Sequence, residues 1–159
     1  MVLVREAGPG EWQLVRDARL AELRDTPSAF ASAYQREAAF TEADWRGRLS
    51  SSSATFLAYL PEVSPAGLSG ALEHSPGTAE LVSMWVSPAA RGRGVGEALV
   101  AAVTDWAKTR DHTAVHLWVT RENFPARALY ERCGFSPTGE RQPLPSDPGL
   151  DEIGMRLPL

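Results

Sequence analysis

The chain has 159 residues, a formal net charge of −4, 43% hydrophobic and 23% charged residues, which suits one soluble domain with a sizeable core. The acidic balance argues against a nucleic-acid partner, which would need basic surface. The single cysteine, Cys133, rules out an internal disulfide and any thiolate-rich metal site; His74, His112 and His116 lack metal-ligand spacing, so no metal is expected. No apolar run approaches the roughly 20 residues a membrane helix needs. The start of the chain lacks the long apolar core of a signal peptide. No membrane partner and a cytoplasmic location are therefore the expectation.

Residues 2–6 read as a first strand, closed by Gly8-Pro9-Gly10. Residues 11–24 turn helical, with Leu14, Ala18 and Ala21 on one face and Val15 beside them, until Pro27 stops the helix. Residues 28–34 are small apart from Phe30 and Tyr34. Thr41-Glu42-Ala43-Asp44 resembles a capping box that opens a short helix through residue 49. Strands follow over 54–60, 67–74 and 80–86, with turns at 61–65 and 75–78. A helix then carries Val95, Leu99, Ala102, Val103 and Trp106 as a core-facing stripe. Residues 114–119 are almost wholly apolar, as a central parallel strand should be. A last helix begins near Asn123, with Pro125 in its first turn, and ends at Gly134-Phe135. Residues 141–149 hold Pro143, Pro145 and Pro148 and are expected to be irregular, whereas Ile153, Met155 and Leu157 alternate with polar neighbours as a half-buried strand does. The order of elements suits one three-layer mixed α/β domain.

The most informative stretch joins the strand over 80–86 to the helix after it. Arg91-Gly92-Arg93-Gly94-Val95-Gly96 alternates glycine with other residues, leaving the backbone amides open. The first amides of a helix have no partner inside it and, with the helix dipole, favour an anion. Arg91 and Arg93 add positive charge. The loop therefore reads as a pyrophosphate cradle, against the plain alternative of a glycine-rich turn with no ligand. It is neither the G-x-G-x-x-G of a dinucleotide loop nor a Walker loop, which needs G-K-[ST].

The loop fits [QR]-x-x-G-x-[GA]. Thirty residues on, Asn123-Phe124-Pro125-Ala126-Arg127-Ala128-Leu129-Tyr130-Glu131-Arg132-Cys133-Gly134-Phe135 fits N-x-x-A-x-x-L-Y-x-x-x-G-F. In this order and with one strand between them, the two motifs resemble the signatures of the GNAT superfamily of N-acetyltransferases. The resemblance covers residues 67–159 well; the N-terminal part shares only its order of strand, two helices and strand. It implies a single N-acetyltransferase domain over residues 1–159, built on a mixed sheet whose central parallel pair splays apart. It implies acetyl-CoA as co-substrate, no metal, and a primary amine of a small molecule, peptide or protein as acceptor. A homodimer is compatible with it. The pyrophosphate would lie on Arg91, Gly92, Arg93, Gly94, Val95 and Gly96. The pantetheine arm would pair with the backbone of Trp85 and Val86. Asn123 and Ala126 would contact the coenzyme, and Tyr130 would lie near the thioester sulfur.

Amine acetylation sets chemical demands. An alkylammonium has a pKa near 10.4, so a base must take its proton at neutral pH. The tetrahedral oxygen needs backbone donors, for which Trp85 or Val86 is the implied source. Tyr130 is the candidate acid for the departing thiolate. Glu80, six residues before Val86, is the candidate base by resemblance to the histone-acetylating branch; His116 and Glu73 are lesser candidates. The ribosomal-protein branch has its glutamate where Trp118 stands, which counts against that acceptor. Phe30, Tyr34, Trp45 and Trp85 are aromatics that could line an acceptor pocket, although core packing suits most of them. The competing reading is a catalytically silent acyl-CoA-binding module.

Overall fold

The computed structural model describes residues 1–25, 34–50 and 52–159. Its elements are β1 (Leu3–Glu6), α1 (Trp12–Asp25), α2 (Tyr34–Ala38), α3 (Glu42–Gly47), β2 (Ser53–Leu60), β3 (Val63–Ser75), β4 (Thr78–Val86), α4 (Val95–Thr109), β5 (Ala114–Thr120), α5 (Phe124–Arg132), β6 (Ser136–Leu144) and β7 (Asp147–Pro158). The strands form one mixed sheet in the order β1-β2-β3-β4-β5-β7-β6. Only β4 and β5 run parallel, which is why a helix, α4, must connect them. Among the described residues no helix is long and apolar enough to cross a membrane.

Strand alternation splits the core into two layers. Phe56 and Leu57 are neighbours in β2 that bury on opposite sides. Phe56 joins Leu81, Val115, Leu117 and Met155 under α4, which contributes Val95, Leu99, Val103 and Trp106. Leu57 joins Leu68 and Trp85 under Val15, Ala18 and Leu23 of α1. Helix α5 packs beside α4. A Cβ on Gly96 would stand 2.8 Å from a methyl of Leu129, so a larger residue here would make that side chain shift.

Between β4 and β5 the pairing covers only Thr78↔Ala114 to Leu81↔Leu117. Beyond it the strands diverge. A β-bulge sits at that point: β3 pairs Gly70 with Val82 and then Leu68 with Trp85, so Ser83 and Met84 oppose Ser69 alone. Ser83 takes φ 57°, a left-handed conformation rare for a residue with a side chain. A bulge bends and twists its strand, which turns the end of β4 away from β5. It also shifts the register. Uninterrupted alternation would group Glu80, Val82, Met84 and Val86; instead Trp85 shares the face of Glu80 and Val82.

Two other expectations are corrected. Residues 141–149 are not irregular: β6 and β7 form a hairpin through them, pairing Arg141↔Ile153 and Leu144↔Asp147. Pro143 is tolerated because β6 is an edge strand, where a missing N–H can face outward; Pro145 sits in the turn, and Pro148 at the start of β7. Leu14 is exposed, and the buried stripe of α1 is Val15, Ala18, Arg19, Glu22 and Leu23. Tyr34–Ala38 forms the short α2. The Thr41–Asp44 capping box is present as expected. Pro27 and Phe30 lie outside the described residues.

The charges inside the α1 stripe form a network. Arg19 donates to Glu37 through Nε at 2.9 Å and Nη2 at 3.0 Å, and its Nη1 reaches Glu22. Arg48 pairs with Glu37 at 2.9 Å. The network ties α1, α2 and the end of α3 together. Burial pushes the Glu22 carboxyl up to about 8, against the pull of Arg19. A carboxyl whose pKa rises on folding adds stability that is complete below its unfolded pKa and lost as pH rises through its folded one. Wild-type stability should therefore fall from about pH 4.5 to pH 8 by an increment that Glu22→Gln lacks. Melting temperatures of both proteins across that range check this; parallel curves would contradict it.

Candidate active site

The loop after β4 starts with a 3-10 turn, Pro88–Ala90, and passes through Gly92 at φ 77° and Gly94 at φ 82°. Gly94 caps α4 in the left-handed region, which only glycine enters without strain. A Cβ at Gly94 would meet no atom within 4 Å, so the space before these amides is open. The anion preference of this helix end is already visible in Glu97. Its exposed carboxylate is held below the ordinary range, first by its own backbone amide and then by Arg132.

The splay opens a cleft of about 820 Å³ between this loop, the ends of β4 and β5, and the start of α5. Trp85, Val86, Arg91, Gly92, Gly94, Val95, Gly96, Asn123, Ala126 and Tyr130 all line it. Residues from three separate segments are thus brought to one cavity. Asn123 caps α5, its Oδ1 accepting the amide of Ala126 at 3.3 Å. Tyr130 is buried, edge-on to Phe135 with ring centres 5.8 Å apart. Burial first, then Glu22 and Cys133, hold its phenol far above the ordinary range. Trp118 also lines the cleft, across from β4.

Two expected site residues stand apart. Arg93 is not among the lining residues, and its guanidinium pairs with Glu62. Glu80 lies on the paired part of β4, below the splay and opposite His116. Its Oε2 bonds His74 Nδ1 at 2.9 Å, and the His74 ring stacks on His116 at 4.6 Å and 17°. His74, Glu80 and His116 bring ligand-type atoms within 4.8 Å of one another. The rings lie face to face, however, so their in-plane lone pairs run nearly parallel and do not meet at a common ion. His116 Nε2 also bonds Glu140 at 2.8 Å, and Glu73 is taken by His112 at 3.0 Å. Of the other aromatics, Trp45 is buried in the core and Tyr34 packs against the α1 layer, as core residues do.

Sequence reasoning missed three features here. Asp25, the last residue of α1, accepts from Trp85 Nε1 at 3.0 Å and from Arg91 Nη2 at 2.6 Å, while Arg91 Nε bonds the carbonyl of Val86 at 3.1 Å. This staple fixes the loop to the strand it leaves. Nothing in the local pattern links residues that far apart. The bulge at Ser83 carries no glycine or proline that would announce it. Glu152, on the polar phase of β7, is buried beneath Gln142 of β6, which bonds it at 2.6 Å. Burial raises its carboxyl above the ordinary value. Had residues 141–149 been read as a strand, its shielding would have been foreseeable.

The model of the acetyltransferase (GNAT) family matches residues 16–135, and the chain belongs to that family. A mycothiol acetyltransferase of Beutenbergia cavernae is 45% identical over 60 residues, which are 38% of this chain and 20% of that protein. The chain spans between 19% and 51% of the length of the first curated relatives it matches. A GCN5-related N-acetyltransferase from Kribbella flavida superposes with a TM-score of 0.78 at 25% identity, covering 99% of this chain and 98% of that one. The spermidine N-acetyltransferase of Vibrio cholerae, solved with CoA and spermine, gives 0.76 at 18% identity over 99% and 95% of the two chains.

Proposed function

We propose that the chain is an acetyl-CoA-dependent N-acetyltransferase that acetylates a primary amine by direct attack through a tetrahedral intermediate. The observation that carries the reading is the splay between β4 and β5, which opens onto the amide-rich N-terminus of α4. The cleft suits the coenzyme at both ends. The open side of Gly92, Gly94 and α4 suits the pyrophosphate, and the unpaired edge of residues 82–86 suits an arm that hydrogen-bonds like an added strand. Acetyl-CoA would bring the thioester as co-substrate.

The residues then divide the work. The amine nitrogen bonds to the thioester carbonyl carbon, and backbone amides at Trp85 or Val86 stabilise the oxygen that gains charge. As the carbon–sulfur bond breaks, Tyr130 donates its proton to the thiolate and takes up the second proton of the attacking nitrogen, which becomes a neutral amide. Its raised pKa keeps that proton in place at rest, and water exclusion at the same spot raises the thiol as well. Glu80 is on the α1 face of β4 but short of the cleft, so it takes the ammonium proton through water. Free thiol measured with acetyl-CoA and a panel of amines tests the reading. Amine-dependent thiol release with N-acetylated product is the expected result; tight coenzyme binding with no transfer to any amine would favour a silent acyl-CoA-binding module.

The role of Glu80 has its own signature. Glu80→Gln should lower kcat most below the pKa of the acceptor amine, and the defect should shrink toward about pH 10, where the amine is already deprotonated. A pH–rate profile of variant and wild type reads this. A constant ratio would leave Glu80 as a positioning residue, and no defect at any pH would move the role to another carboxylate, with Glu152 first.

A further inference from the structure

A second cavity, of about 440 Å³, lies on the α1 face of the sheet. It shares Val82 and Ser83 with the coenzyme cleft, so the two spaces flank the same β4 bulge. Its floor is small: Gly70 and Ala71 are there, and a Cβ on Gly70 would come within 3.0 Å of Val82. Among the described residues its charged lining is Arg19, Arg36, Arg48 and Glu37. The balance is therefore positive, in a chain whose net charge is −4. Arg19 is fully committed to Glu37 and Glu22. Arg48 pairs with Glu37 through Nη2 and lies over the rings of Phe40 and Trp45, which fixes the plane of its guanidinium while its side chain stays 31% exposed. Glu22 lies behind Arg19, outside the cavity lining, and burial raises its carboxyl.

We infer that the acceptor is a small molecule bearing a carboxylate as well as its amine, with the carboxylate held by Arg48 and the amine presented at the Ser83 bulge. The inference rests on the acetyltransferase reading and adds the acceptor class to it. A planar, pre-oriented guanidinium suits a carboxylate, and the positive lining repels a polycation. Amino-acid-like acceptors are favoured and polyamines disfavoured.

The test compares α-amino acids with their own carboxamides, and with spermidine, by kcat/KM in wild type and Arg48→Gln. Wild type should prefer the carboxylate by about 10–100-fold, mainly through KM, as expected for a hydrogen bond to a charged group. The preference should collapse in Arg48→Gln and be partly kept in Arg48→Lys. Taking the ratio between proteins cancels the different basicity of the two amines. Arg48→Lys keeps a charge toward Glu37, so it reads the same preference if Arg48→Gln does not fold. An equal carboxylate preference in wild type and folded variants, or faster turnover of carboxamides or spermidine, overturns the inference. Thiol release with none of the amines defeats the acetyltransferase reading instead. Calorimetry of the amino acids with CoA present then still decides the carboxylate site, by whether their binding is lost in Arg48→Gln.

Discussion

Tyr130→Phe should lower kcat by about 10²–10⁴-fold, the range for loss of a general acid, while coenzyme affinity changes little. The substitution removes one oxygen and keeps the ring that packs on Phe135. The side chain is 5% exposed and lines the cleft, so its hydroxyl has little to bond to except what enters there. A thiolate expelled into a dry site without a proton donor returns to the carbonyl faster than it escapes. The expected kinetic signature is thus a fall in kcat with KM for acetyl-CoA near wild type. Steady-state kinetics with the best acceptor, together with a melting curve, give the answer. Turnover within a few-fold of wild type would make Tyr130 a packing residue.

Gly94→Val should weaken acetyl-CoA binding by about 100-fold or more, since the added side chain enters the space where backbone amides meet the pyrophosphate. Two effects are mixed in this variant. Valine at φ 82° is strained, costing about 1–3 kcal/mol of stability. The ligand conflict comes on top of that. Gly139 separates them: its φ is 91°, its Cβ would also meet nothing within 4 Å, and it lies in β6, outside the cleft lining. Gly139→Val should lose similar stability and keep full coenzyme affinity. Calorimetry on both variants reads the difference. Equal affinity in folded Gly94→Val and wild type would remove the pyrophosphate from this loop.

What the sequence could and could not reveal follows from the range of the interactions. The loop, the cap at Thr41, the start of α5 near Asn123 and the α4 stripe are each encoded within a few neighbouring residues and are readable. So is the parallel β4–β5 pair, because an apolar β5 after a long helix leaves few topologies. The α1 stripe was misread because Arg19 and Glu22 bury as partners of each other and of Glu37, and a hydropathy pattern scores both as surface. Leu14 was placed inside for the converse reason. The bulge at Ser83 is stabilised by tertiary pairing with β3 and leaves no local mark, yet it decides which side chains face the acceptor. The second cavity is lined by residues of α1, α2, the segment after α3 and three strands, so its arginines stand in the sequence as unrelated surface charges. The surroundings of Glu80 are likewise tertiary: its carboxylate bonds His74 and stands off the cleft, which no local pattern reveals.

The central claim is that acetyl-CoA occupies the gap between β4 and β5 with its pyrophosphate on the α4 N-terminus. Amide hydrogen exchange with and without acetyl-CoA measures this directly. Slowed exchange is expected at residues 84–86 and 91–97, where an added strand and an anion would cover amides, with no change along β6. Protection confined to other segments, or none at saturating acetyl-CoA, would contradict it.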